Sequence, residues 1–330
     1  MATKKRLLSL TLIAVAILLL GGVSNHSTVP SSAPLSISHL PTPVHLTHPM
    51  TPVTWPSGAS ALSDSAVSCP EPSGQCLASY NWGGYAICAM TNCAAEFTAT
   101  PPTPTAADVT FVSGTWTVPR ITSPTTPYNH NTNCTDSENT WYDNSVWVGI
   151  DGLVDAYVEQ TGTSSDCFYG QVGYYAWYEF YPAPSYSVPI TVNPGDTITA
   201  SVSCTATTGG ANCVTTITDV TDHESYTSPM TLVSGALLNS AEWIQESAYY
   251  EGFLALTPVT TLTFSNAFAT INGHTLPISG WGSEVYWLVM VDYNFPYGGV
   301  SHQSFYIKAQ PSALSRFGSS FTSTWISSGP

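Results

Sequence analysis

From Tyr80 onward the chain is a succession of short apolar or alternating runs separated by Gly, Pro, Asn and Asp clusters. Examples are DVTFVSGTWTVP from Asp108, SVWVGID from Ser145, DAYVEQTG from Asp155 and QVGYYAWYEFY from Gln171. DTITASVSC from Asp196, CVTTITDV from Cys213, AEWIQES from Ala241, VTTLTFSNA from Val259 and EVYWLVMVDY from Glu284 continue the series. β-branched and aromatic residues punctuated by turn formers predict strands. No long stretch holds a 3.6-residue period. The segment 236–250 is the best helix candidate, and Trp243 and Tyr249 favour a strand there equally. The pattern predicts an all-β fold, an antiparallel β-sandwich, with no internal repeat.

Two segments stand outside this texture. Residues 25–75 are rich in Pro, Ser, Thr and His, with no Lys or Arg, and read as a propeptide or linker. Four histidines lie in it, at positions 26, 39, 45 and 48. They are cationic in mild acid and would suit an acidic partner domain. Residues 312–330 are Ser/Thr-rich and are expected to fray. Between them, 76–311 is the expected folded domain.

The N-terminus changes the charge arithmetic. Lys4, Lys5 and Arg6 precede an apolar run over residues 7–20, followed by Gly22, Val23 and Ser24. A cationic start, a short apolar core and small residues predict a secretory signal over 1–24, hence an exported protein. No other stretch is apolar enough to span a membrane. Beyond residue 24 only Arg120, Lys308 and Arg316 remain against twenty-one acids, a formal charge of −18. So few cations exclude a nucleic-acid partner. With its carboxylates protonated the chain would carry little positive charge, which limits the self-repulsion that drives acid unfolding.

The eight cysteines in an exported chain predict disulfides. They fall in local pairs: Cys69 and Cys76, Cys88 and Cys93, Cys134 and Cys167, Cys204 and Cys213. Neighbour pairing is one of about 105 possibilities. Zinc spacing is missing beside these cysteines, and the HExxH that begins at His223 fails at Thr227. No metal or cofactor is expected. Asn25 and Asn133 open N-x-[ST] sites, which permit glycosylation.

Without a GxSxG motif or a spare thiol, carboxylates, amides and aromatics are the remaining catalytic vocabulary. Strand alternation places Trp177, Glu179 and Tyr181 on one face, Glu242, Ile244 and Glu246 on another, and Trp147, Gly149 and Asp151 on a third. Glu159 and Gln160, being adjacent, point to opposite sides. A carboxyl on an aromatic face is desolvated, which raises its pKa and makes it a candidate proton shuttle.

Seven motifs occur in order: NWGGY at Asn81, SGTWTVP at Ser113, WVGIDG at Trp147, QTG at Gln160, AWYEFYP at Ala176, PGDTI at Pro194 and NSAEWIQES at Asn239. In this the chain resembles the glutamic peptidases, the eqolisin family of secreted acid endopeptidases, over roughly residues 79–264. The resemblance implies a sandwich of two long curved sheets, of the concanavalin-like or jelly-roll type, acting on polypeptides without metal or cofactor; a monomer is expected. It implies a catalytic dyad of Gln160 and Glu246, with Trp82, Trp147, Asp151, Glu179 and Tyr181 lining or supporting the cleft. Three departures go with it, one of them the segment 120–144 with Cys134, which looks like an insertion near the cleft rim. Gln245 and Ser247 flank Glu246 where the family has an apolar residue and an acid, and the propeptide carries His where the family's is Lys-rich. The residues by themselves also fit a jelly-roll glycoside hydrolase using Glu179 and Glu246, or a non-catalytic carbohydrate-binding module.

Overall fold

In a computed structural model the described residues are 49–51, 75–97, 103–122, 141–168, 171–250, 252–294 and 304–329. The expected signal sequence, Cys69, Cys134 and most of 25–75 lie outside them. Among the described residues nineteen strands follow one another: β1 (Gln75–Ser79), β2 (Trp82–Cys88), β3 (Val109–Thr117), β4 (Trp141–Asp143), β5 (Ser145–Ile150), β6 (Val158–Phe168) and β7 (Gln171–Tyr181). Next come β8 (Tyr186–Val188), β9 (Thr197–Thr207), β10 (Gly210–Asp219), β11 (Glu224–Thr227), β12 (Thr231–Ser234) and β13 (Ser240–Glu246). The last are β14 (Ala255–Leu256), β15 (Leu262–Ile271), β16 (His274–Pro277), β17 (Val285–Asn294), β18 (Ser304–Pro311) and β19 (Phe321–Trp325). The one α-helix among the described residues is a single turn, Cys93–Glu96.

Two layers emerge from the pairing. The first runs β1-β17-β2-β13-β5-β6-β7-β8. The second runs β10-β9-β3-β15-β19, with β11 and β12 on the outer side of β10. Strand β18 pairs with both β17 and β19, so hydrogen bonding continues from one layer into the other. Pairing is antiparallel apart from the short β1–β17 and β14–β4 contacts. Between the layers pack Tyr85, Val148, Phe180 and Trp243 from the first and Val112, Trp116, Ile198 and Phe264 from the second. The fold is thus the all-β sandwich that the alternating runs predict.

One expectation needs correction, and two other segments take a definite form. The helix candidate 236–250 contains strand β13, which is paired on both sides and fully buried. Central strands bury both faces, so the aromatic β-propensity of Trp243 decides over any helical preference. The stretch 312–330 does not fray as a whole. Phe321 is 3% exposed and anchors β19 against β15 and β18. Within 25–75, Met50 is 6% exposed and lies against the first layer.

Cys88 is bridged to Cys93 and Cys204 to Cys213, as neighbour pairing expects. Cys76 and Cys167 are disulfide-bonded as well. Among the described residues no helix is long and apolar enough to cross a membrane.

Candidate active site

The first layer buries its second face too, and the candidate site residues lie on that face. Register aligns its side chains in three rows. The first row is Glu242, Gly149, Gln160 and Glu179. The second is Gly84, Ile244, Trp147, Gly162 and Trp177. The third is Trp82, Glu246, Ser145, Ser164 and Tyr175. Alternation therefore placed Glu242, Ile244 and Glu246 correctly, and Trp177 with Glu179.

Glycines shape this face around one indole. A Cβ on Gly162 would stand 2.2 Å from the Val146 carbonyl oxygen and 2.5 Å from the Trp147 Cβ. A Cβ on Gly149 would stand 2.8 Å from Trp147 Cζ3 and 3.3 Å from the Gln160 Cβ. The Gly positions of QTG and WVG thus leave room for the Trp147 ring between the Gln160 row and the Glu246 row. Trp147 also meets Trp82 edge to face, with centroids 4.9 Å apart.

Glu246 has no exposed surface. Its Oε2 accepts a hydrogen bond from Trp147 Nε1 at 2.8 Å, and its Oε1 accepts one from Asn81 Nδ2 at 3.4 Å. Gln160, equally buried, donates from Nε2 to Glu179 Oε2 at 2.9 Å. Burial pushes the Glu179 carboxyl well above the usual carboxylate range. The charge of Glu246 adds to the rise, and the Gln160 bond works against it. Glu179 and Glu246 thus share one electrostatic environment, and the amide of Gln160 is oriented by the first of them. Tyr181, partly buried, is raised by burial and then by Glu179.

Asp151 does not continue the face of Trp147 and Gly149. Strand β5 ends at Ile150, and Asp151 takes a left-handed φ of 68°. From there its carboxyl accepts N–H bonds from Leu237 at 2.8 Å, Leu238 at 2.9 Å and Asn239 at 2.6 Å. It fastens the turn that leads into β13, and so supports Glu246 from the strand's N-terminal end. Burial raises it to about 6 despite those bonds.

Asp143 fastens the other end. Its Oδ1 accepts the Ala248 N–H at 2.8 Å, two residues past Glu246. Its Oδ2 accepts from the Ser145 hydroxyl at 3.3 Å, which lies 2.7 Å from the Ser164 hydroxyl. Trp177 Nε1 donates to that Ser164 oxygen at 3.0 Å. Burial raises Asp143 to about 6. Asp166, across β4–β6, is pushed well above its usual range by burial and then by Asp143, and it accepts the Tyr175 hydroxyl at 2.7 Å. Nearby, buried Lys308 donates from Nζ to the Ser247 hydroxyl and to the Leu254 carbonyl, both at 2.9 Å.

Sequence reasoning missed Asn81, Asp143, Asp166 and Lys308. Asn81 opens the NWGGY motif, and that position was the available signal. The others are joined only by long-range register. For metals, the oxygens of Asp196, Asp219 and Asp222 lie within 4.8 Å of one another on the second layer, apart from the Glu246 face.

A buried carboxyl held by an indole and an amide, with a second amide oriented by a second carboxyl, defines an acid–amide site on a β-sandwich. The sequence profile of the Peptidase A4 family matches residues 81–289, which contain every residue of that site. The chain belongs to the Peptidase A4 family. It is 34% identical to aspergillopepsin-2 of Aspergillus niger over 179 residues, 51% of this chain and 62% of the relative. It is 40% identical to scytalidopepsin B of Scytalidium lignicola over 76 residues, 22% of this chain and 28% of the relative. These matches span less than two thirds of either relative's own length. In fold it is similar to scytalido-glutamic peptidase crystallised with a peptide-based transition state analogue, at a TM-score of 0.52 and 20% identity, over 75% of this chain and 98% of that one.

Proposed function

We propose that the chain is an exported acid endopeptidase that hydrolyses peptide bonds with Glu246 and Gln160. The observation that carries this reading is the buried Glu246 carboxyl, held by Trp147 and Asn81 on the same face as the Gln160–Glu179 pair. In the reaction, Glu246 takes a proton from the attacking water and returns it to the leaving nitrogen. The Gln160 amide, a neutral group with both a donor and an acceptor, steadies the developing oxyanion. Glu179 stays protonated in acid and keeps that amide in one orientation. A carboxylate base also works at a pH where a histidine base would already be protonated. Residues 1–24 would direct export, and part of 25–75 would serve as a propeptide.

The test is digestion of haemoglobin or casein between about pH 2 and pH 7, with pepstatin present. Glu246→Gln and Gln160→Ala are each expected to lose at least about 10²-fold in kcat, the worth of a lost base or oxyanion donor. Either variant acting near the wild-type rate would remove the dyad.

A further inference from the structure

Pro49, Met50 and Thr51 are held as a bound peptide is held, mainly through their backbone. The Met50 N–H donates to the Gly152 carbonyl at 2.9 Å, and the Tyr80 N–H donates to the Thr51 carbonyl at 3.1 Å. The Asn81 side chain grips the segment from both of its ends. Its Oδ1 accepts the Thr51 N–H at 3.0 Å, and its Nδ2 donates to the Pro49 carbonyl at 3.3 Å. That same Nδ2 lies 3.4 Å from Glu246 Oε1. One amide therefore touches both the tripeptide and the reacting carboxyl.

The Met50 side chain is buried in the apolar cluster of Trp82, Trp147, Leu153 and Trp177. A cavity of about 410 Å³ continues beside it, lined by Phe97, Leu153, Val154, Tyr157 and Leu237. In sequence Pro49 precedes and Pro52 follows the Met50–Thr51 pair. A residue before proline is restricted to extended backbone, so Thr51 is biased toward the conformation a strand-like ligand needs. Such preorganisation lowers the entropy lost on docking.

We propose that this seat is a substrate subsite that takes an extended peptide with a bulky apolar side chain, and that Pro49–Thr51 is its tethered occupant. The proposal rests on the peptidase reading above. Recognition comes from the Gly152 carbonyl, the Tyr80 N–H and the two-sided Asn81 amide, and selectivity comes from the pocket around Met50. Substrate and tether compete for one place.

The full chain is tested with Met50→Asp and Met50→Leu, on a peptide substrate bearing Met at the tested position and on one bearing Asp. Met50→Asp is expected to lower KM for the Met peptide by about tenfold, with kcat kept, while Met50→Leu behaves as wild type. The Asp peptide is expected to remain a poor substrate of all three. A fall in thermal midpoint and kcat together, with KM unchanged, would make Pro49–Thr51 a structural brace and overturn the proposal. A separate arm needs no turnover. Calorimetry follows binding of the synthetic peptide THPMTPV to the Met50→Asp chain carrying Glu246→Gln as well. Binding weakened by replacing its Met with Asp supports the seat even if the dyad assignment fails. No binding, in a chain shown to fold by its near-UV spectrum, refutes the seat alone.

Discussion

Raising the pH from about 3 to about 7 is expected to destabilise this protein, the reverse of ordinary acid denaturation. The cause is a set of carboxyls without solvent. Asp143 and Asp151 rise from 3.8 to about 6, in each case through burial first, and are at most 1% exposed. Asp155 rises to about 8, through burial and then the charge of Asp151. Glu159, Asp166, Glu179 and Glu242 are raised well above their usual range, again through burial first. Below the unfolded pKa near 4 both states hold these protons, and the stability they allow is fully present. As pH climbs from about 4 through about 6 the unfolded chain releases protons that the native state keeps, so stability falls. For Asp143 alone the shift of about two units corresponds to ~3 kcal/mol, and Asp151 adds a similar amount. Together they reach the order of a whole domain's net stability, roughly 5–15 kcal/mol. Asp143 and Asp151 alone, each holding a proton near pH 5 that the unfolded chain has released, contribute a slope of roughly −2 to −3 kcal/mol per pH unit. Urea unfolding followed by tryptophan fluorescence at several pH values measures it. Asp143→Asn keeps an acceptor for the Ala248 N–H and removes one titrating group, so its slope is expected to be shallower by about 1.4 kcal/mol per unit. Stability that is flat or rises between about pH 4 and pH 6 would refute the reasoning.

Trp147→Phe removes the indole N–H that reaches Glu246 at 2.8 Å. A hydrogen bond to a charged group is worth about 1.5–3 kcal/mol, so kcat/KM should fall about 10- to 100-fold. The acid limb of its pH profile should also move to higher pH, because that donor favours the ionised carboxylate. Glu179→Gln keeps an oxygen that can accept from Gln160 and should retain more kcat than Glu179→Ala, which leaves the amide unheld. Equal losses in the two would show that Glu179 does not position Gln160. Gly162→Ala forces a methyl onto the Val146 carbonyl and the Trp147 Cβ. It should cost about 3 kcal/mol or more in the same urea titration, and a neutral effect would mean that the β5–β6 contact is looser than described.

The strands were legible because β-branched and aromatic residues alternate within short, punctuated runs. Within a run, alternation alone assigned Glu246 to the face of Glu242 and Ile244, and separated Gln160 from Glu159. What lay beyond a single run was not legible. Asp151 belongs by sequence to the Trp147 alternation, and a left-handed φ of 68° turns it away to cap the β13 turn. Asp143 and Asp166 are brought together by the β4–β6 register across more than twenty residues, and no local pattern encodes that. Asn81 was visible only as the first letter of a motif, since its role depends on β13 arriving beside β2. The Pro/Ser/Thr composition of 25–75 hid one buried methionine, because three docked residues do not alter the average of fifty.

Scarce cations and buried acids act in the same direction. Beyond residue 24 the chain has three Lys or Arg, and Lys308 lies wholly inside, 3.9 Å from Asp292. Burial lowers its pKa to about 8, so it stays charged across the acid range. In acid the surface carboxylates are neutral and the outward positive charge is confined to Arg120, Arg316 and the histidines, so self-repulsion is small. The interior acids are neutral under the same conditions, and a neutral carboxyl with hydrogen bonds is tolerable where a lone carboxylate is not. As pH rises the surface moves toward its formal −18, and the interior acids are driven to ionise in place or to reach water. Reaching water means opening the layer around Asp151 and Asp143, which fasten the two ends of the strand that carries Glu246. The fold and the proposed carboxyl base therefore favour the same acidic interval, and the loss of structure on its upper side should begin at β13.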